Sequence, residues 1–450
     1  MTGENSKLRR VIGLPHATAM VVGTIIGASI FVQPSEMTGH VPSVGGVFLV
    51  WLVSGILTIF GALVCAELAS IFTRTGGVYI YLKESYHPSV GFLWGWAMFW
   101  SMHSGIIAAL AFIFGRYTCY FLDTENTYVI KSIAISVIIV LSGINYLGVK
   151  QGSTLQTLFT AGKIIAILFI IVLGFSLGAK VPEHFDAIGL EDKTVTLKGF
   201  FLAWAAGLFA YGGWHMVTYN SEETINPRKT IPRALILGTL IVTACYIAMN
   251  AVYMYVLPLD QVASSKRIAA DAADAVLGRG GGAFMAALVM FSTAGALTGI
   301  ILCGPRVYYA MAQDGLLFQW MADIHPRFKT PHRAIILQAI WSSVLVFLFS
   351  YGDLFMGVVY TEWIFFGLMA LGLILLRRRT GLKRDYKIWG YPVVPVLFII
   401  SSFSIVIAQL INEPRKTILG LSIVIIGLPV YFLWLHFSHP KQQNLEEPNE

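Results

Sequence analysis

The sequence predicts an all-α polytopic membrane protein with twelve transmembrane helices, the first and the sixth of them broken. Three observations carry this. Of the 450 residues, 56% are hydrophobic and only 12% are charged, whereas a soluble domain averages about 25% charged residues. Apolar runs close to the roughly 20 residues that cross a bilayer recur along the chain. Two of those runs are interrupted near their middle, at 23–31 (GTIIGASIF) and 209–214 (FAYGGW).

The first span, 11–34, follows Lys7, Arg9 and Arg10. It is too long for a signal-peptide core, and no small-x-small cleavage site ends it, so it reads as a retained helix. Its centre holds Gly23 and Gly27, four apart, then Ala28 and Ser29. Each glycine costs a helix roughly 1 kcal/mol against alanine. Open backbone at membrane depth is tolerated only where it lines a protein-enclosed cavity. Two readings stand: a broken helix at a binding site, or a small-xxx-small contact that lets another helix come close. Spans two to five follow at 45–72, 89–121, 128–146 and 153–178, the third long enough to imply tilt. Between spans two and three, residues 73–88 set Gly76-Gly77 beside an amphipathic stretch. That segment reads equally as an interfacial helix at an inner gate or as a plain loop.

The sixth span, 199–220, carries the second break, and the rest lie at 232–256, 283–312, 334–350, 354–376, 393–411 and 416–437, the ninth being short. A glycine-interrupted segment in the corresponding position of each half points to a transporter's substrate site. Five spans per unit put both breaks in the first helix of a unit, with repeat one at 11–178, repeat two at 199–376 and helices 11 and 12 outside the repeat at 393–437. Five is odd, so the second unit enters from the opposite side, giving a LeuT-like five-plus-five inverted repeat. Residues 1–440 form one transmembrane transporter domain, and the polar 441–450 read as a disordered cytoplasmic tail.

Counting residues near a span end with the side they adjoin, 19 of the 31 Lys and Arg residues fall on the inner side and 10 on the outer, which places both termini in the cytoplasm of a multi-pass cell-membrane protein. The net charge of +7 is thereby explained without nucleic acid. The cluster Arg377, Arg378, Arg379, Lys383, Arg384 and Lys387 reads as a topology determinant, with anionic lipid as a secondary contact. Cys65, Cys119, Cys245 and Cys303 all lie in apolar segments without metal-ligand spacing or a disulfide framework, so neither cofactor nor metal is implied. The chain lacks H-E-x-x-H, which argues against a zinc hydrolase of that class. It also lacks a repeated filter motif, which argues against a channel. The glycine-rich 278–282 falls outside, ahead of span eight, where a phosphate loop has no use.

With these residues in hand, the chain resembles the APC superfamily of amino-acid transporters, and most closely bacterial members of the L-type family. GTIIGASIF is close to that family's GTIIGSGIF-like break, and FAYGGW is similar to its second break. Glu222-Glu223-Thr224-Ile225-Asn226-Pro227 with Ile231-Pro232-Arg233-Ala234 resembles its E-x-x-N-P…P-R-A segment. Pro305-Arg306-Val307, Ala310–Gly315 and His325-Pro326 resemble its signature from span eight into the next loop. Two positions depart: Ala28-Ser29 where the family usually has Ser-Gly, and Thr298 where it often has Asn. Both lie near where the family binds substrate.

The resemblance implies a sodium-independent amino-acid transporter working by alternating access, as an exchanger or a proton-coupled symporter, with an amino acid and the lipid bilayer as partners and protons as the candidate coupling ion. A zwitterion needs two poles. Half-helix N-termini suit its carboxylate, here the amides of Gly27, Ala28 and Ser29, with the Ser29 hydroxyl as an extra donor. Carbonyls of Thr24, Ile25, Phe209, Ala210 and Gly212 would hold the amine. By resemblance Phe209 is an aromatic gate; packing is the alternative for it and for Trp214. Lys163 lies about 15 Å into its span, and an ionisable residue at that depth is a functional hypothesis. By resemblance its ammonium replaces a sodium ion, touching carbonyls around Gly23 and Thr24 and touching Ser292. Desolvation could also let it exchange protons.

Glu362 is equally deep, open to three readings: a coupling proton, a cationic substrate group or a structural hydrogen bond. Glu67 reads as a gate or helix-end contact, His215 as a residue lining the site, and His103 as packing. The competing functions are a carrier of another amine, such as a polyamine or modified amino acid, and a non-transporting substrate sensor. L-type relatives in animals pair with a single-span glycoprotein. With Cys119 inside or at the end of span three, no disulfide-linked partner is expected here.

Overall fold

The computed structural model describes residues 8–179, 181, 195–265, 267–278, 280–412 and 414–438. The expected tail at 441–450 lies outside them. Among the described residues there is no strand, only a single backbone bridge between Ile12 and Thr224. In order the helices are α1 (Leu14–Ile25), α2 (Gln33–His40), α3 (Val44–Ile71), α4 (Val78–Ser85), α5 (Pro88–Ala97), α6 (His103–Phe121), α7 (Thr127–Tyr146), α8 (Val149–Leu177) and α9 (Leu197–Ala210). They continue with α10 (Pro227–Val256), α11 (Leu259–Ser264), α12 (Ile268–Leu277), α13 (Gly281–Gln313), α14 (His332–Leu348), α15 (Tyr351–Arg377), α16 (Val393–Asn412) and α17 (Pro414–Ser438).

Ten helical segments among the described residues are long and apolar enough to cross a membrane. Helices α14, with 17 residues, and α15, with 27, are further apolar helices beyond those ten. An inner and an outer shell separate by burial. Of the apolar 18-residue stretch in Pro88–Phe121 and in Gly281–Gln313, 78% of residues are buried, whereas in Val149–Leu177 and Gly420–Phe437 the share is 22%. On the outer helices Leu158, Ile165, Phe347 and Ile411 stand bare, as lipid-facing side chains do where apolar surface meets apolar solvent.

Several ends follow from local chemistry. Ser43, Asn126 and Thr196 each accept an amide from the first turn of α3, α7 and α9, filling groups that a helix start leaves unpaired. Helix α10 begins at Pro227, five residues ahead of the expected 232, because proline at the first helical position forfeits no hydrogen bond. Residues 98–102 form a π-helical turn between α5 and α6, so the long third span is interrupted. The 73–88 segment is helical rather than a loop. Gly77 (φ +48°) opens α4, and a side chain there would meet Thr218 and the Tyr219 ring. The short helices α11 and α12 were not foreseen: α11 has six residues, and the ten of α12, amphipathic as they are, are too short to read as a span.

Candidate functional site

Helix α1 stops at Ile25 and the chain unwinds through 26–28 before a single 3-10 turn, Ser29–Phe31. The two glycines do different work. A Cβ at Gly23 would run into Gln156 and Thr160 of α8, so Gly23 permits close helix packing. A Cβ at Gly27 would find ordinary contacts, Ala296 Cβ at 3.4 Å and Leu110 Cδ2 at 3.5 Å. Gly27 instead turns the chain, its amide donating back to the Ile25 carbonyl at 2.8 Å. That corrects one assignment, since this amide is already used. The amides of Ala28, Ser29 and Ile30 find no backbone acceptor among the described residues.

The second break follows α9. Gly213 takes φ +100°, a conformation glycine tolerates, and a Cβ there would sit 2.9 Å from the Thr24 carbonyl oxygen. The two breaks are therefore in direct backbone contact. The Thr24 hydroxyl bonds the Met20 carbonyl at 2.7 Å and also lies 3.1 Å from the Gly213 carbonyl.

Tyr246 of α10 joins the breaks a second time. Its hydroxyl is 3.0 Å from both the Ile25 and the Ala210 carbonyls. A phenol has one proton, so it serves one carbonyl at a time. The Ile25 oxygen already takes the Gly27 N–H and shares the Tyr246 proton with Ala210, which leaves it less open to an amine than expected. The Phe209 carbonyl takes the Gly212 amide at 2.9 Å. Among the described residues, the Thr24 and Gly212 carbonyls accept no hydrogen bond. Tyr246→Phe should leave both the Ile25 and Ala210 oxygens without their shared donor. At about 1–3 kcal/mol for a buried unsatisfied group, we expect roughly a tenfold fall in kcat/KM for uptake; unchanged uptake would show that these carbonyls need no phenol.

Between the breaks lies a cavity of about 40 Å³, lined by Thr24, Ile25, Gly27, Ser29, Phe209 and Gly212 of the expected set, with Glu362 on its wall. That is room for about three water molecules. Ala28 and Ala210 do not line it, nor do His215 and Thr298. His215 is instead packed among Trp94, Tyr219 and Phe366, ring centroids 4.8–5.8 Å away. Thr298 turns its hydroxyl back to the Ala294 carbonyl at 2.8 Å. His103 bonds the Ile300 carbonyl at 2.8 Å. Trp214 lines the cavity and is buried, so it makes no lipid contact.

Behind the first break, the Lys163 ammonium donates to three backbone carbonyls: Gly23 at 3.2 Å, Ile26 at 2.5 Å and Ser292 at 3.0 Å. The Ser292 hydroxyl donates to the Gly27 carbonyl at 3.0 Å. Lys163 is fully buried and lies behind the break rather than on the cavity wall.

The chain matches the amino acid permease family model over residues 12–434. The chain belongs to the amino acid permease family. The permease is 33% identical over 452 residues to the human b(0,+)-type amino acid transporter 1, covering 99% of this chain and 92% of that one. It is 34% identical over 437 residues to the serine/threonine exchanger SteT of Bacillus subtilis (strain 168), covering 96% and 98%. The human cystine/glutamate transporter is 30% identical over 444 residues, covering 96% and 86%. These relatives are transporters, not enzymes, so the permease is an APC-superfamily membrane protein with a small-molecule amino acid as its class of substrate.

One end of the permease, where α1 begins, is closed by ion pairs that motif reading alone did not join. Arg306 of α13 grips Glu223 with two donors at 3.0 and 3.1 Å, and both side chains are fully buried. Two family motifs are thus one contact. Glu67 accepts Arg377 at 2.9 and 2.5 Å and the Ile388 amide at 2.8 Å. Arg384 lies 3.7 Å from Glu67 and donates to the Leu376 carbonyl at the end of α15. Two members of the basic cluster are therefore internal ligands as well as loop charges. All four cysteines are free and buried.

Asp314 collects Arg74 at 2.9 Å, Tyr79 at 2.7 Å and Lys83 at 2.8 Å. Burial opposes its ionisation, but the donors of Lys83, Tyr79 and Arg74 outweigh that and hold its carboxyl below the usual aspartate value. A depressed folded pKa contributes stability that is fully present above 3.8 and lost as pH falls through the lower folded value. Asp314→Asn should therefore melt below wild type at neutral pH, the two curves meeting only in that acid range. Equal melting temperatures at pH 7 would contradict this.

Proposed function

We propose that this permease moves amino acids across the cell membrane by alternating access, without sodium, as an exchanger or proton-coupled symporter. The observation that carries the reading is the pair of helix breaks in backbone contact around one cavity, which offers two poles to a zwitterion. The carboxylate pole is the Ser29 amide and hydroxyl on the cavity wall, with the open amides of Ala28 and Ile30 beside it. The amine pole is the Thr24 and Gly212 carbonyls. Half-helix ends are suited to both. Phe209 forms the aromatic wall between the site and its exit.

The architecture in this reading is twelve spans, with a five-plus-five inverted repeat and both termini cytoplasmic. Sodium independence rests on Lys163, whose ammonium holds the carbonyls of the first break to α13 where a bound cation would otherwise be needed. The end closed by Glu67, Glu223 and Asp314 is then the cytoplasmic one. At the other end a vestibule of about 1200 Å³, lined by Val32, Arg116, Asp123, Glu125 and Arg267 among others, supplies the approach. The central cavity is smaller than an amino acid, so loading requires its walls to part, as alternating access demands.

The test is uptake of radiolabelled neutral L-amino acids into sodium-free proteoliposomes, empty or preloaded, with and without an inward proton gradient. Uptake only into loaded vesicles establishes exchange. Gradient-driven uptake into empty ones establishes proton symport. No uptake in any arm overturns the proposal.

A further inference from the structure

Among the described residues, Glu362 is the one ionisable side chain on the wall of the central cavity. It is 7% exposed, and among the described residues it has no hydrogen-bond or ion-pair partner. Apart from the hydroxyls of Thr24 and Ser29 and the indoles of Trp214 and Trp363, the wall is apolar side chain or backbone: Ile25, Ile106, Leu110, Phe209, Ile300 and Phe366 are among its neighbours there. A bare carboxylate in such a place costs several kcal/mol. Either a proton or a cation must therefore accompany its charge.

Among the described residues, the nearby buried cations are already committed elsewhere. Lys163 has its three donors on carbonyls. Arg306 is held by Glu223, and Arg377, on the same helix as Glu362, by Glu67. The titratable groups on the elements packed around α15 include Tyr219 and His215 on the 214–223 segment, His103 on α6, Cys65 and Glu67 on α3, Tyr79, Tyr81 and Lys83 on α4, Tyr86 just beyond it, whose hydroxyl donates to the Leu368 carbonyl, and Tyr431 on α17. His103 is committed to the Ile300 carbonyl, and Tyr79 and Lys83 to Asp314. Tyr219, buried without a partner for its hydroxyl, lies close enough to feel the charge of Glu362.

We propose that Glu362 makes this cavity a site for amino acids bearing a second, side-chain cation, and that the same carboxyl carries a proton when the substrate is neutral. The inference rests on the cavity being the substrate site. When an ammonium or guanidinium side chain arrives, the Glu362 O–H bond breaks, its proton leaves to water on the entry side, and the carboxylate accepts the new N–H donors. When a neutral amino acid binds, the proton stays. Both loaded forms carry the same total charge, so one carrier handles both substrate classes, with protons accompanying only the neutral one.

The test uses the purified full-length protein in weakly buffered detergent, with a pH dye, titrated with L-lysine and with L-leucine. The expected result is about one proton released per lysine bound and none per leucine. In Glu362→Gln the lysine-to-leucine affinity ratio should fall at least about 30-fold, since one partner of a desolvated charge pair is gone. Glu362→Asp, which keeps a carboxylate, should still release a proton with lysine, and its failure to do so while folded overturns the proposal. So does lysine binding without proton release in the wild type, or a Glu362→Gln ratio that does not change. Leucine binding without lysine binding overturns this inference but leaves the substrate-site reading intact. Binding of neither overturns both.

Discussion

Lys163→Met is expected to cut sodium-free amino-acid uptake into proteoliposomes by at least about 100-fold while the protein still folds. The ammonium donates to the carbonyls of Gly23, Ile26 and Ser292, and hydrogen bonds to a charged group contribute about 1.5–3 kcal/mol each. Methionine keeps the length and apolar stem but leaves three buried carbonyls unserved. Some 3 kcal/mol of lost order at the first break is a factor of about 100. The unwound turn at 26–28 is the part that depends on these bonds, because its own amides and carbonyls are only partly paired. The loss should therefore fall on substrate affinity as much as on turnover, read by substrate-induced thermal shift beside uptake. Wild-type uptake by a well-folded Lys163→Met protein would reject the role given to this residue.

Arg306→Met is expected to be the most destabilising single substitution at the closed end, and Glu223→Leu added to it should recover more than half of the loss. Both partners are fully buried and bidentate. Removing one strands a buried charge, at about 3–5 kcal/mol, whereas replacing both with apolar groups of similar volume is often neutral. Melting temperatures of the two single variants and the double in detergent check this. A double variant no better than the worse single would mean that the cost lies in packing around Arg306, whose third donor goes to the Leu302 carbonyl at 2.6 Å. A single variant that melts with wild type would show the pair to be open in solution.

How far the chain could be read beforehand differs by level. Span positions followed from the length of apolar runs, because lipid leaves backbone groups no partner but the helix itself. The sites of the breaks followed from glycine in mid-span, and Lys163 stands mid-way along α8, fully buried. At residue scale the reading was coarser. The Gly27 amide was expected to be free, and it is spent on a turn. Ile25 and Ala210 were expected to offer open carbonyls, and both face Tyr246. His215 was expected on the cavity wall, and it lies in an aromatic cluster.

The sequence by itself determined that this chain is an α-helical membrane protein of one family, with two glycine-marked interruptions and a lysine buried in a span. Composition, hydrophobic run length and local helix propensity act over a few residues to a few turns, and so they are visible along a line. Only the tertiary structure decided which groups meet. Tyr246 lies 221 residues from Ile25, and Arg306 lies 83 from Glu223. Nothing local to either partner specifies the other. Buried donors and acceptors are satisfied by whatever packing brings within 3 Å, and that is a property of the assembled helices.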